Sequence, residues 1–378
     1  MCNFKVIFGI LALAALLLLP GCKQSKTPRR ETIPFVRQVA ADSAGTFSLV
    51  KDYAETGSAG SIALFGSPES VLRLGRAFLE SDIYDNIDGK VKKDGLPDFA
   101  GESFQICMDP LYSPYSHFLT SDPDSLRELT VRYVLQALDT LSFTDPFDSE
   151  SYQRKSPSKV VILSSPLQAE YGRFDVDTLF SMAQKRISLI DPVDALLEEA
   201  FGDGIPSGHL LVISSDPVAS REAFKSVAKR LSAGGATIDI LPYPEMGNDL
   251  RACLRNFANL GKRYPLNGIL LDEDAGTVAL YMETLRQIRQ DVAEGDETLL
   301  KSLSPDFKII NMTDALVRSC YRLLRRENRF THDIAYPKAM YYQLEESLLG
   351  EPVLVRVSDR YITTTNSRVI DIQAQMNH

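Results

Sequence analysis

Four places along the chain set a hydroxyl or a carboxylate at the start of a helical pattern: Ser67-Pro68, Ser165-Pro166, Asp191-Pro192 and Asp216-Pro217, each behind a short apolar run. Ser and Asp accept hydrogen bonds from the free N–H groups of a helix's first turn. Pro suits the first helical position, where its missing N–H costs nothing. The same N–H groups, with the partial positive charge of the helix end, can hold an anion or a carboxylate. Carboxylates at other run ends, Asp109 and Asp272 among them, could hold ammonium or hydroxyl groups. The arrangement suits a small zwitterionic or polyhydroxylated molecule, and helix capping alone is the plainer role for each residue. The candidate ligand contacts are Ser67, Asp109, Tyr112, Tyr115, Ser165, Ser215, Asp216 and Asp272.

Those residues need strand ends to stand on. Apolar runs recur at Ser61–Phe65, Phe104–Met108, Lys159–Leu163, Ile187–Ile190, His209–Ile213, Thr237–Leu241, Asn267–Leu271 and Lys308–Asn311. They are rich in Ile, Val and Leu with little alternation, as strands buried on both faces of a parallel sheet are. Helical patterns fall between them, at Ser125–Thr140 (with a Ser125/Glu128 capping box), Arg221–Leu231 and Thr277–Arg289. Strand and helix in alternation predict an α/β fold of two doubly wound parallel-sheet lobes, residues 51–205 and 206–335. In such sheets ligands bind outside the carboxyl ends of the strands. Residues 336–378 read as a C-terminal helix, Pro337–Leu349, and two strands, Pro352–Val357 and Tyr361–Thr365, with a return to the first lobe as one option.

Two loops of the first lobe are long. Asp82–Glu102 carries six acidic residues and several Gly, but an EF-hand register ending in Asp88-Gly89 would put Tyr84 and Gly95 where carboxylates are needed. A solvated acidic loop is expected instead. Asp109–Asp124 carries Tyr112, Tyr115, His117 and Phe118, which could wall a pocket or form a small local core.

Composition excludes several classes. The 41 Lys+Arg against 50 Asp+Glu give a net charge of -9, which argues against a nucleic-acid partner. Four His, five Cys and no Trp leave no disulfide scaffold and no His-rich metal site. No Gly-x-Ser-x-Gly, Walker-type phosphate loop, His-Glu-x-x-His or Cys-x-x-Cys occurs, so no cofactor, metal or catalytic residue is assigned.

The amino terminus has one charge, Lys5, and then an apolar stretch to Leu19-Pro20-Gly21-Cys22. This resembles the lipobox of bacterial lipoproteins, which implies a signal peptide over residues 1–21, acylation of Cys22 and a tether over residues 22–50. Lys23 after the Cys resembles lipoproteins sorted to the outer membrane, with the body in the periplasm and display at the cell surface as an option. Cys107, Cys253 and Cys320 read as buried thiols. The plan of the body resembles the type I periplasmic binding proteins, most of all over His209–Arg289. That resemblance implies a lipid-anchored protein, not an enzyme, holding a small polar ligand between two lobes that close on a hinge. An envelope hydrolase using Asp109 or Asp272, or an assembly factor with no small ligand, are the alternatives. The plan is also similar to the aspartate/glutamate racemases, which need one Cys from each lobe. Cys107 and Cys253 would be that pair, without the family's surrounding motifs.

Overall fold

A computed structural model describes residues 30–42, 45–202, 208–214, 217–234, 236–242, 250–259, 265–271, 275–290, 296–331, 333 and 335–358. The chain divides into two units, Met1–Thr32 and Ile33–His378. Every element below lies in the second. In chain order the first part contains α1 (Pro34–Ala41), α2 (Thr46–Lys51), β1 (Ser61–Gly66), α3 (Pro68–Glu80), β2 (Ser103–Met108), α4 (Pro123–Leu138), β3 (Leu141–Phe143), β4 (Tyr152–Arg154), β5 (Ser158–Leu163), α5 (Pro166–Met182), β6 (Leu189–Ile190) and α6 (Pro192–Phe201). The second part contains β7 (Gly208–Ser214), α7 (Pro217–Ala223), α8 (Lys225–Gly234), β8 (Ala236–Pro242), α9 (Leu250–Asn259), β9 (Leu266–Leu271), α10 (Ala275–Gln290), α11 (Asp296–Lys301), β10 (Leu303–Asn311) and α12 (Met312–Arg326). β11 (Lys338–Glu346) and β12 (Pro352–Val357) close the described chain.

The strands form two sheets, so the α/β class expected from the alternating pattern is the class observed. One has eight strands in the order β4-β3-β12-β11-β2-β1-β5-β6, and the other has four in the order β10-β9-β7-β8. Within the eight, β11, β2, β1, β5 and β6 run parallel. All six residues of β1 and of β5 are buried, because helices cover both faces. α4 and α5 pack on one face and come close at Gly172, where an added Cβ would sit 2.3 Å from the Thr130 Cβ.

A single core joins the two sheets. β7 is buried along its whole length. Leu210 and Val212 belong to the apolar cluster that fills the first sheet, and Leu211 and Ile213 to a second cluster with Leu254, Tyr281 and Ile288. This is the period-two alternation of a strand covered on both sides.

Three local expectations are corrected. Pro337–Leu349 is not a helix: Lys338–Glu346 is β11, which pairs Lys338 to Gln343 with Ser103 to Met108 of β2. Its fully buried side chains, Tyr342 and Leu344, are two apart, the period of a strand. β11 turns through Ser347–Glu351 into β12, and Tyr361–Thr365 lies outside the described residues. The helix expected from Ser125 begins earlier, at Pro123, because Asp122 is the cap and accepts from the Asp124 N–H at 3.1 Å. The acidic loop is not wholly solvated. Asp98 is buried and accepts from Ser81 Oγ at 2.5 Å and from the Ile83 and Tyr84 N–H groups at 2.9 Å each.

Glu102, at the end of that loop, is buried as well and meets Lys159 of β5 at 2.8 Å. Lys159 Nζ also donates to the Ser58 and Arg329 carbonyls, each at 2.8 Å. Arg329 is fully buried and donates to the carbonyls of Lys159 (2.8 Å), Gly57 (3.2 Å) and Ala54 (3.3 Å). Burial lowers the Lys159 pKa, opposed by the nearby Glu102. Removing one member leaves the other charge buried alone. Glu102→Ala is expected to cost about 3–5 kcal/mol, read as a lower urea midpoint, and the double change Glu102→Leu with Lys159→Met much less. A single-variant loss under about 1 kcal/mol would show that the pair does not hold this end of the sheet.

Candidate functional site

The carboxyl ends of strands from both sheets surround a cavity of about 220 Å3. Ser67 follows β1, Ser164 follows β5 and Ser214 ends β7, and all three line it. The N-termini of α3 and α5 stand beside these strand ends. Arg73 of α3 adds a positive charge, and Ala223 and Met312 supply apolar wall. The volume suits an amino acid or a short diacid better than a drug-sized ligand, whose sites start at roughly 300 Å3.

The floor depends on one glycine. A Cβ added at Gly66, the last residue of β1, would lie 1.7 Å from Ser164 Oγ. Absence of a side chain there lets the serine hydroxyl lie against the strand. Ser164 is only 4% exposed, and its hydroxyl has no hydrogen-bond partner among the described residues. Ser220 Oγ, by contrast, donates to Ser214 Oγ at 2.7 Å.

Asp109 stands just past β2, fully buried. Its carboxylate accepts from the Tyr112 N–H at 2.9 Å and from the Tyr133 hydroxyl. Ser113 Oγ closes the turn by donating to the Asp109 carbonyl at 2.5 Å. The Tyr115 and Tyr133 hydroxyls are 3.5 Å apart, and the Tyr133 ring stacks on Phe65 at 4.9 Å. Burial raises the Asp109 pKa, and the hydrogen bonds from Tyr133 and Tyr112 only partly offset it. Burial, then the Asp109 charge, keeps the Tyr115 phenol protonated well above its usual range. The group is one carboxyl and two phenols in hydrogen-bond contact.

Of the residues proposed from sequence, Ser67, Tyr115 and Ser165 line this cavity. Asp109 sits behind Tyr115 without reaching the cavity surface, and Tyr112, half-buried, does not line it. Ser215, Asp216 and Asp272 lie outside the described residues, as does Cys22. Sequence reading missed Ser164, Arg73, Ser214 and Ser220. Ser164 precedes the capping position and Arg73 lies a turn and a half into α3, so neither belongs to the capping pattern that marked the others. Larger hollows lie elsewhere, among them two of about 640 and 740 Å3, between α1, α4 and β12 and beside β6. Their central arginines are already paired, Arg132 with Glu128 and Arg173 with Asp191 and Asp194.

The raised Asp109 pKa has a stability consequence. The native state holds this proton more tightly than the unfolded chain, whose carboxyl titrates near the ordinary 3.8. The contribution is fully present below that value and is lost as pH rises through the raised one. Asp109→Asn, which keeps a neutral group, should therefore gain on the wild type as pH rises across that window. Urea midpoints taken from acid to neutral pH check this, and a difference that does not change with pH would show that the carboxyl is not shifted.

No family model matches the chain, and no curated protein does. Solved structures similar to it include glutamate racemases. The enzyme from Francisella tularensis subsp. tularensis SCHU S4, in complex with D-glutamate, has 13% identity and a TM-score of 0.45 over 78% of this chain and 91% of that one. An isoform from Bacillus anthracis has 13% identity and a TM-score of 0.41, over 79% and 97%. The enzyme from Thermus thermophilus, with beta-chloro-D-alanine, has 12% identity and a TM-score of 0.41, over 80% and 99%. At these identities and scores the likeness extends to the fold alone. The expectations of a periplasmic-binding-protein body and of a chain that is not an enzyme are corrected against these racemase neighbours, whose scores carry nothing further about this chain's activity. The hinge implied by that family fails physically too, since closure would have to open the core shared by β7 and the first sheet. Cys107 is not placed for racemase chemistry. It is buried within β2, where burial pushes its thiol up to about 12. Cys320 is buried as well, and the Cys253 side chain lies outside the described residues.

Proposed function

We propose that the chain is an enzyme that binds a small carboxylate-bearing substrate in the cavity at the strand ends and moves a proton on it. One observation carries this reading: a buried carboxyl with raised proton affinity, shared by two phenols, one of which forms the cavity wall. A proton donor held in that way, out of bulk water, is the usual arrangement of general acid–base catalysis. Tyr115 is the group that would touch substrate. Asp109 and Tyr133 position its hydroxyl and take up or return its hydrogen. The buried Cys107 and Cys320 play no part. The nature of the pocket, with serine hydroxyls, two helix N-termini and Arg73, favours a substrate with at least one anionic group.

The test is hydrogen exchange in D2O. Glutamate, aspartate, alanine, malate and lactate are incubated with the protein, and loss of the α-hydrogen is followed by proton NMR. At least one acid is expected to exchange. Asp109→Asn, shown folded by circular dichroism, should slow that exchange about 100-fold or more, and Tyr115→Phe at least tenfold. No exchange of any acid by the wild-type protein would end the proton-transfer reading.

We also propose that acylated Cys22 holds the chain on a bacterial membrane, the outer membrane in the first place, with the body in the periplasm. The order of Lys5, apolar stretch, Gly21 and Cys22 supports this, and so does Lys23 after it. Among the described residues no helix is long and apolar enough to cross a membrane. Two or more acyl chains hold a protein stably where one does so only marginally. Cells fed an alkyne-tagged fatty acid should label the wild type, and Cys22→Ser should lose both the label and the membrane fraction. An unlabelled wild-type protein would remove the anchor.

A further inference from the structure

The two helix N-termini at the cavity are not equivalent. α3 is closed: Ser67 accepts from the Ser70 N–H at 3.4 Å, and Glu69 puts a negative charge in its first turn. α5 is open. It is 17 residues long, its first turn holds no acidic residue, and the Ser165 side chain at its cap makes no capping hydrogen bond. Serine in that position is normally there to cap.

Two further groups at this helix end lack partners. Ser164, 4% exposed and lining the cavity, offers a free hydroxyl beside Ser165. Gln168, in the first turn of α5, is fully buried, and neither its amide oxygen nor its amide nitrogen has a partner. Buried polar groups are seldom left unmet, so the free Ser164 hydroxyl in the cavity lining marks a place for a ligand, with Gln168 unmet behind it.

We propose that the open N-terminus of α5 is the carboxylate seat of the substrate. It rests on the reading of the cavity as a substrate site and adds to it the end of the cavity that takes the anion. The first-turn N–H groups of α5 donate to the carboxylate, and the Ser164 and Ser165 hydroxyls complete its shell. Arg73 supplies counter-charge. Gly66 is part of the device, since a side chain there would displace Ser164 Oγ. With the carboxylate fixed at α5, the remainder of the substrate extends toward Tyr115.

A variant exists that should strengthen the fold while closing the seat. Ser165→Asp puts a tethered carboxylate on the same N–H groups, where it caps the helix and favours the dipole. The full-length chain is titrated calorimetrically with succinate and, separately, with inorganic phosphate. Wild type should bind succinate saturably. Ser165→Asp should bind it at least about 30-fold more weakly with a thermal midpoint unchanged or raised, and Ser164→Ala about 5–10-fold more weakly. Ser67→Asp, at the helix that is already capped, should change affinity by less than about threefold. Equal binding by Ser165→Asp and wild type, an equal loss in Ser67→Asp, or binding of phosphate without succinate would each overturn the carboxylate seat. Succinate binding without α-hydrogen exchange on any acid would remove the reaction and keep the seat. Exchange that Ser165→Asp leaves untouched would remove the seat and keep the reaction.

Discussion

One buried ion pair, Glu102 with Lys159, fixes the end of the sheet opposite the cavity, and the chain path depends on it. The path leaves the first sheet after α6, builds the second, and returns through α12. The return is caught by Arg329, whose guanidinium spans carbonyls from Lys159, Gly57 and Ala54, while Lys159 Nζ holds the Arg329 carbonyl in exchange. Glu102 joins the same knot by accepting from the Thr331 N–H at 2.7 Å. Four segments distant in sequence meet over three buried charges, Glu102, Lys159 and Arg329. Such a pair contributes less to net stability than to uniqueness of arrangement, because desolvation offsets much of its attraction. Its position at the amino ends of β1, β2 and β5 frees the opposite ends to carry unpaired hydroxyls and a protonatable carboxyl.

The division of labour between the ends explains the chemistry of the cavity. Parallel strands all point their carboxyl ends one way, so helix N-termini collect there and polar side chains at the loops find donors. At the other end, polar groups are paired with one another. Asp109 is the exception that connects the two regimes, a carboxyl buried like a core residue yet set at the ligand end. Burial raises its proton affinity, and the hydrogen bonds from the phenols around it offset this only in part.

Much of the fold was legible because parallel strands buried on both faces leave continuous apolar runs. β1, β2, β5, β7, β8 and β9 all fall on such runs. β11 was not, because Lys338–Glu346 is only partly buried and its spacing of apolar residues also fits a helix. What decides it is the free edge of β2, a partner more than two hundred residues away that local pattern does not contain. Ser67 and Ser165 were visible through their Pro neighbours. Whether each one caps was not: the two dipeptides are alike, and only geometry separates the capped α3 from the open α5. Ser164 carries no signal of its own, since its exposure to the cavity comes from Gly66 on another strand.

The place of β11 also has a consequence for the order of assembly. It lies between β2 and β12, near the middle of the eight-stranded sheet, although it follows every other strand of that sheet but β12 in the chain. Until it arrives, β2 presents a bare edge and β3 and β4 have nothing to join, since they reach the sheet only through β12. Contacts between segments so far apart make folding slow and leave intermediates exposed for longer. A chain built in this way stays open until β11 and β12 have emerged, and its sheet is completed from the centre outward by these two strands.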